Sequence, residues 1–230
     1  MSTETEICNR ALAKAGARSR IAALSEDSAE AEQCRLHFAC TRQSVLRAHN
    51  WSFARRQVAL AVLGAAAGTP ENPTGAARRA LDPWQYEYLQ PDACLRFRSI
   101  HQPAAGGGPI AFDLSSDVDS AGNGVRVVLT NQAQAVGIYT VDVTVPDLWD
   151  PMFEDAVIWA LAADLAMPIS GDKAIWTACE QTAATTLIAA RTADGAETQT
   201  TQESIPDWVA VRGFATSSEA DSGFVNALLR

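Results

Sequence analysis

Apolar positions recur at spacings of three and four near both ends of the chain, which is the pattern of helices with one buried face. The pattern predicts a helix over residues 3–16 and a longer helix over residues 28–49. Toward the other end it predicts helices over residues 150–167 and 173–192. Because only a short turn separates the last two, we expect them to form an antiparallel hairpin.

The third predicted helix has the clearest start and stop signals. Asp150 can accept hydrogen bonds from the first free N–H groups, and Pro151 fits the first helical position because its missing N–H has no partner there. Glu154 falls in the first turn, where the helix dipole favours negative charge. Pro168 is expected to end the helix. Since this helix is apolar around most of its girth, we expect other elements to cover it on several sides.

The middle of the chain changes to the alternating and β-branched pattern of strands, separated by turn-forming residues. A small antiparallel sheet or sandwich of four to six strands is predicted there. Residues 58–63 are apolar and fit either a helix or a strand. The order of helices, strands, a helix pair and a polar tail predicts an α+β protein. The strand-like stretches are residues 85–89, 95–100, 110–114, 125–130 and 138–145.

Composition supports a folded protein that does not grip nucleic acid. Hydrophobic residues make up 47% of the chain, which is enough for a proper core. The net charge of −9 argues against binding nucleic acid by broad charge neutralisation. Residues 1–63 hold nine Lys and Arg against six Asp and Glu, whereas the remainder is acidic. One face could therefore meet a partner of opposite charge.

Candidate chemistry is sparse. The five cysteines are scattered, no CxxC occurs, and there are three histidines, which argues against a zinc site and a disulfide framework. Paired carboxylates occur at Asp117 and Asp119 and at Glu154 and Asp155, but a turn and a helix start explain them. The glycines at 106–108 are read as a hairpin loop rather than a phosphate cradle. We therefore expect no enzyme activity and no catalytic, cofactor-binding or metal-binding residues.

The end of the chain, residues 194–230, is polar but contains large apolar side chains. A purely solvated tail would lack these. A segment that becomes ordered on a partner explains them, and so does a segment that folds back on its own core, so both interpretations stay open. For partner contacts we favour the side chains of Trp208, Phe214 and Phe224.

Four stretches together carry a resemblance to one family. They are residues 7–12 (ICNRAL), 46–54 (LRAHNWSFA), 84–96 (WQYEYLQPDACLR) and 147–153 (DLWDPMF). In this order they resemble phage tail tubular protein A, the head-to-tail adaptor of short-tailed phages. The likeness spans residues 5–195. It departs at Ala93, where the family pattern has an aspartate, and in the low-complexity stretch at 65–80.

The resemblance implies a helical bundle with a small antiparallel β-domain inserted into it. The bundle is then expected to comprise residues 1–63 and 147–193. The inserted β-rich domain is expected over residues 64–146, with a flexible loop near 65–80, and residues 194–230 follow as an extended C-terminal tail.

The resemblance also implies a structural role in a virion, with assembly in the host cytoplasm. Copies of the chain would form a dodecameric ring between the portal protein and the tail nozzle or another distal tail protein. Double-stranded DNA would pass through the lumen without specific binding, and no membrane is involved. An acidic lumen would suit this passage. The alternatives are a connector or tail-completion protein of a long-tailed phage and a tail-associated glycan hydrolase.

Four aromatic residues are predicted to pack in the core rather than to bind a partner. They are Trp51, Trp149, Phe153 and Trp159. Trp149, just before the third helix, and Trp159 within it are expected to join the two halves of the bundle.

Overall fold

The computed structural model describes residues 3–75, 78, 80–101, 109–119 and 121–197. Within this part the chain forms four α-helices and two antiparallel sheets, which confirms the predicted α+β class. The helices are α1 (Glu4–Lys14), α2 (Ala29–Ala48), α3 (Pro151–Ser170) and α4 (Lys173–Glu197). The strands are β1 (Arg55–Ala59), β2 (Val62–Ala65), β3 (Tyr86–Leu89), β4 (Cys94–Ile100), β5 (Phe112–Val118), β6 (Gly124–Thr130) and β7 (Val136–Val141).

Local capping explains where the first three helices begin. Thr3 accepts a hydrogen bond from the Glu6 N–H, and the Glu6 carboxylate accepts one from the Thr3 N–H, which forms a capping box. The Ser28 hydroxyl accepts from an N–H in the first turn of α2. As predicted, the Asp150 carboxylate accepts N–H bonds at the start of α3. These caps fix helix starts from the sequence alone.

The end of α3 differs from the prediction. Pro168 lies within the last turn, and the helix continues to Ser170. Gly171 ends it with φ of 65°, and the Gly171 N–H bonds to the Met167 carbonyl at 3.1 Å. Pro168 removes only the helical hydrogen bond that its own N–H would donate, and the helix continues past it, so glycine in the left-handed region sets the stop.

Helix α3 is the central helix, because it packs against α1, α2 and α4. Residues on all of its sides are buried, as its continuous apolar composition predicted. The core around it draws on every helix. The nine buried residues of α3 are Phe153, Ala156, Val157, Ile158, Leu161, Ala162, Ala163, Leu165 and Ala166.

The strands form two sheets, with orders β1-β7-β4 and β2-β3-β6-β5. Five of the seven described strands, β3 to β7, lie in the middle region, which agrees with the four to six strands predicted there. The expectation that the helical part runs to residue 63 is wrong, because residues 55–59 and 62–65 are strands. All five residues of β1 are exposed, so this strand carries no alternation of buried and exposed positions that a pattern could reveal.

A second cluster of buried side chains draws on both sheets. Side chains crowd Gly137 of β7 within the first sheet, where a Cβ atom would lie 2.7 Å from Phe97 Cε2 of the neighbouring β4 and 2.9 Å from Leu60 Cδ2. Only glycine fits this position without displacing its neighbours. The cluster comprises Leu60, Ala65, Tyr86, Tyr88, Cys94, Phe97, Ile100, Val128, Ala135 and Tyr139.

The loop near 65–80 was expected to be flexible, but its described residues form a hydrogen-bonded turn. The buried Asn72 side chain donates to the Ala65 carbonyl at 2.8 Å. The Gly68 N–H donates to the Asn72 carbonyl at 2.9 Å. Asparagine side chains commonly supply such turn contacts, and composition alone did not indicate that this one is buried.

The last helix continues beyond the predicted limit. Helix α4 ends at Glu197, so residues 194–197 are helical rather than part of the tail. Asp194 is buried at the end of this helix. Of the described helices, none combines the length and apolarity required to cross a membrane.

Candidate interaction surfaces

Four aromatic rings from two distant parts of the chain form one buried cluster. The ring centroids of Trp51 and Phe153 are 5.0 Å apart, and those of Trp149 and Phe153 are 5.2 Å apart. Phe53 lies 4.9 Å from Phe153. These edge-to-face contacts add to the burial of apolar area. Trp51, Trp149 and Phe153 therefore lie in the core, where the sequence placed them.

Both buried tryptophans also make a polar contact. Trp51 Nε1 donates to the Val45 carbonyl at 3.0 Å, and Trp149 Nε1 donates to the Val143 carbonyl at 2.9 Å. Each indole N–H is thus satisfied without water. The cluster holds the turn after α2 against the start of α3, and Phe53 is its one partly exposed ring.

Trp159 differs from the expectation of a core residue. It is only partly buried and packs against the edge of the core. Lys14 Nζ lies 3.6 Å from the centre of its ring, which is a cation–π contact between α1 and α3. The period of α3 placed Trp159 on the apolar stripe, but α1 covers that position with a lysine rather than with an apolar side chain.

The predicted partner-binding side chains Trp208, Phe214 and Phe224 lie outside the described residues. Their role stays a prediction from the sequence.

A Ser, a His and an Asp meet where α4 ends. Ser52 donates to Asp194 Oδ1 through its N–H at 3.0 Å and through its hydroxyl at 2.7 Å. His49 Nε2 lies 3.2 Å from Asp194 Oδ2. A hydrolytic triad needs the histidine between the serine and the aspartate, whereas here the aspartate lies between the other two. The cluster holds the end of α4 against the segment before β1 and has the wrong order for nucleophilic catalysis.

Two arginines of β4 join the sheet to the end of α2. The Arg98 guanidinium donates to the Arg47 carbonyl at 3.1 Å and to the His49 carbonyl, and Arg96 donates to the Arg47 carbonyl at 3.1 Å. A cation at a helix C-terminus is favoured by the dipole. Burial and the neighbouring arginines lower the pKa of Arg98. Sequence reasoning missed this joint because nothing local links residues about 50 positions apart.

A buried ion pair makes a second joint between the helices and the sheet. Arg42 Nε and Nη2 each donate to Asp142 at 2.9 Å, and Gln43 also donates to Asp142 at 2.9 Å. Burial opposes ionisation of Asp142, but these hydrogen bonds outweigh it and lower its pKa. The arrangement satisfies both oxygens and leaves no vacant position for a ligand.

The most perturbed carboxyl group is Glu87 on β3, which is fully buried. Burial and contact with the Asp117 carboxyl raise its pKa to about 7, although Arg78 acts in the opposite direction. Arg78 Nη2 lies 3.4 Å from Glu87 Oε1 and also bonds to Asp117. Glu87 alternates with the aromatic residues Tyr86 and Tyr88, so the strand pattern places it on the exposed face and gives no signal of its burial.

A shallow cavity of about 370 Å³ lies beside β3, β4 and β6. Asp92 and Asp119 both line it, together with Arg126. Hydrogen bonds from the Asn123 N–H and side chain lower the pKa of Asp119, so this carboxyl is unsuited to act as a general acid. Among the described residues, no group of three or more His, Cys, Asp or Glu side chains is placed to hold a metal ion.

Helix α4 has the largest uncovered face among the helices. Of its 25 residues, the buried ones are Cys179, Ala190 and Asp194. Ile188 is 62% exposed. A groove of about 240 Å³ separates α4 from α2, and small side chains of α3 such as Ala160 form its floor. The groove is lined mostly by alanine, valine and leucine side chains, and its polar members are Ser44 and Glu180.

Comparison with known proteins adds no relative: no family model matches the chain, and no curated protein matches it.

Proposed function

We propose that this chain is a non-enzymatic head-to-tail adaptor of a bacteriophage virion. Copies of it assemble into a ring, a dodecamer in the family it resembles, between the portal protein and the next tail component. Double-stranded DNA passes through the lumen of the ring without specific binding. The function lies in association, so the relevant features are packed cores and exposed surfaces rather than a catalytic centre.

The aromatic cluster is the observation that carries this proposal. Trp51 comes from the stretch at 46–54, and Trp149 and Phe153 come from the stretch at 147–153. The resemblance rests in part on these two stretches, and their rings lie about 5 Å apart in the core. Motifs that meet in the core support a shared architecture better than motifs that lie scattered on the surface.

The proposal includes a particular arrangement of elements. The helices before β1 and the α3–α4 pair form one bundle, and the strands between them form the insert. The packing of α3 against all three other helices supports this arrangement. With the strand and helix limits given above, the bundle comprises residues 3–54 and 147–197.

A glycan hydrolase is the weaker alternative. Such an enzyme uses a carboxylic acid of raised pKa that reaches the substrate, opposite a second carboxylate. Glu87 has the raised pKa but is fully buried, and Asp119 lines a cavity but has a lowered pKa. A connector of a long-tailed phage would use the same surfaces as the favoured function, and the morphology of the particle separates these two.

Imaging of the full chain mixed with the portal protein of the same phage tests the proposal. We expect ring-shaped density on one end of the portal in negative-stain electron microscopy. A chain that stays monomeric and leaves the portal bare would overturn the proposal. Release of sugar from purified cell-wall material by the chain alone would favour the hydrolase instead.

The tail gives a second test. Removal of residues 198–230 leaves all of α4 and its buried Asp194 in place, so we expect a folded protein. We also expect that this truncation no longer joins the portal in a pull-down. A full-length variant with Trp208, Phe214 and Phe224 replaced by alanine is the matched control, since it keeps the length and charge of the tail. Undiminished portal binding by both variants would show that the tail is not needed to bind the portal.

A further inference from the structure

The outer edges of the two sheets are closed to different degrees. At the β2 edge, the Ala65 N–H donates to the Arg78 carbonyl at 2.9 Å. At the β4 edge, the Arg47 guanidinium donates to the Leu95 carbonyl. Contacts of this kind protect sheet edges from pairing with other strands. The remaining edge strands, β1 and β5, have more unpaired backbone groups within the described part of the chain. They differ from each other in which of these groups are unpaired.

Strand β1 presents an open edge rich in donors. The Ala54 carbonyl and the Leu60 N–H bond to residues beside β7, so alternate backbone groups of β1 face that strand. The N–H groups of Arg55, Gln57 and Ala59 then point away from the sheet. No described residue bonds to these three N–H groups, and every residue of β1 is exposed.

Strand β5 presents an edge on which some outward backbone groups already have partners within the described ranges and others do not. The Leu114 N–H donates to the Asp113 carboxylate at 2.8 Å, and the Val118 N–H donates to the Asp117 carboxylate at 2.7 Å. Between them, the N–H and carbonyl of Ser116 and the carbonyl of Leu114 face outward without a partner in the described chain. Two outward donors are thus capped and the Val118 carbonyl accepts from Arg78, while the Leu114 and Ser116 carbonyls stay open as acceptors among the described residues.

The two edges also carry opposite charge. Arg55 and Arg56 are exposed on β1, and neither forms an ion pair with a described residue. Asp113 and Asp117 lie on β5, and Asp117 pairs with Arg78. Opposite charges on adjacent strands favour pairing, whereas β1 against a second β1 would bring like charges together.

We propose that β1 of one copy pairs with β5 of the next copy, antiparallel, with Gln57 opposite Ser116. This inference rests on the proposed function, because it names the contact that joins neighbours in the ring. The register permits two hydrogen bonds between Gln57 and Ser116 and one from the Ala59 N–H to the Leu114 carbonyl. Neither aspartate has to leave the N–H that it caps.

The same register places Arg56 directly opposite Asp117. Since the two edges are different patches of one molecule, the contact is heterologous and continues from copy to copy. Contacts of that type close into rings when the rotation between copies permits, which is the assembly that the adaptor function needs.

A disulfide trap tests the register. Val58 and Ser115 would form a non-hydrogen-bonded pair, whose Cα atoms lie about 4.5 Å apart and can be bridged by a disulfide. The experiment uses the full chain with Cys40→Ser, because Cys40 is the exposed cysteine. The double variant Val58→Cys, Ser115→Cys should give a ladder of covalent oligomers after mild oxidation. Each single variant should stay monomeric in denaturing electrophoresis.

The matched control moves one cysteine out of register. Val58→Cys with Val118→Cys keeps two exposed strand positions but separates them by about 10 Å along the strand. Oligomers that form in solution but cross-link no better at 58 and 115 than at 58 and 118 would overturn this inference and leave the proposed function standing. A chain that shows no self-association by sedimentation, with or without the portal, would overturn both.

Blocking the open edge tests the same contact without cysteines. Gln57→Pro removes an outward N–H and leaves the bonds from β1 to β7 in place. We expect its self-association to weaken by about tenfold, while Gln57→Ala assembles as the wild type does. Equal assembly of the proline and alanine variants, with unchanged circular dichroism, would contradict the use of this edge.

Discussion

Replacement of Glu87 by glutamine tests whether the buried carboxyl of β3 is neutral in the folded protein. The side chain is fully buried, and its pKa is raised from 4.5 to about 7 by burial and by the Asp117 carboxyl. Glutamine has nearly the same shape and stays neutral at every pH. Any difference between the two proteins that depends on pH therefore reports the ionisation of Glu87.

The sign follows from proton binding. Between about pH 4.5 and about pH 7 the folded state keeps the Glu87 proton and the unfolded state loses it, so the free energy of unfolding falls as the pH rises. The full shift corresponds to about 3 kcal/mol. Arg78 is 30% exposed, so solvent screens part of the site, and we expect a loss of about 1–2 kcal/mol.

Urea denaturation followed by tryptophan fluorescence measures this effect. Near pH 5 we expect wild type and Glu87→Gln to differ little, and near pH 8 we expect the variant to be more stable by about 1–2 kcal/mol. Asp113→Asn is the matched control, because it removes an exposed carboxylate from the same sheet. It reports the effect of losing one negative charge without burial.

Parallel pH profiles for wild type and Glu87→Gln would refute the reasoning. They would mean that Arg78 neutralises an ionised Glu87 across the whole range. Asp117 does not confuse the result, because the Val118 N–H and the Arg78 guanidinium lower its pKa below 3.8, outside this window. A loss of stability in the variant at both pH values would show that the contact between the Glu87 carboxyl oxygen and Arg78 contributes more to stability than the ionisation of Glu87 costs.

Three further substitutions separate core from surface and test the end of α4. Trp149→Ala should lower the free energy of unfolding by about 3–5 kcal/mol, whereas the half-buried Trp159→Ala should cost about half as much or less, and urea denaturation compares them. A folded Trp149→Ala protein that fails only in assembly would mean that this side chain belongs to an interface. Asp194→Ala should free the end of α4 from Ser52 and cost about 1–3 kcal/mol, with faster hydrogen exchange in the last turn. Unchanged exchange there would show that the helix end is held by other contacts.

Local signals allowed the helices and most strands to be predicted. The caps at Thr3, Ser28 and Asp150 are interactions between residues two to three positions apart, so they can be read without a fold. The continuous apolar surface of α3 predicted a helix covered on several sides, and three helices cover it. Phe153 on this helix and Trp149 just before it are buried, as predicted.

The predictions that were wrong concern residues whose structure depends on contacts with distant parts of the chain rather than on the local sequence pattern. Strand β1 has no alternating burial, because it forms an exposed edge, and pairing with β7 alone defines it. Trp159 fits the apolar stripe of α3, but α1 places Lys14 over its ring. Asp194 reads as the start of a polar tail, yet Ser52 from a distant turn binds it and extends α4.

The α+β class, the helix starts and most aromatic residues of the core can be predicted from the sequence, because each depends on neighbours along the chain or on simple burial. The division into two sheets, the raised pKa of Glu87 and the contrast between the β1 and β5 edges become visible in the folded chain. These depend on which strands lie side by side and on what covers them. Such contacts join residues far apart in the chain, and no local pattern encodes them.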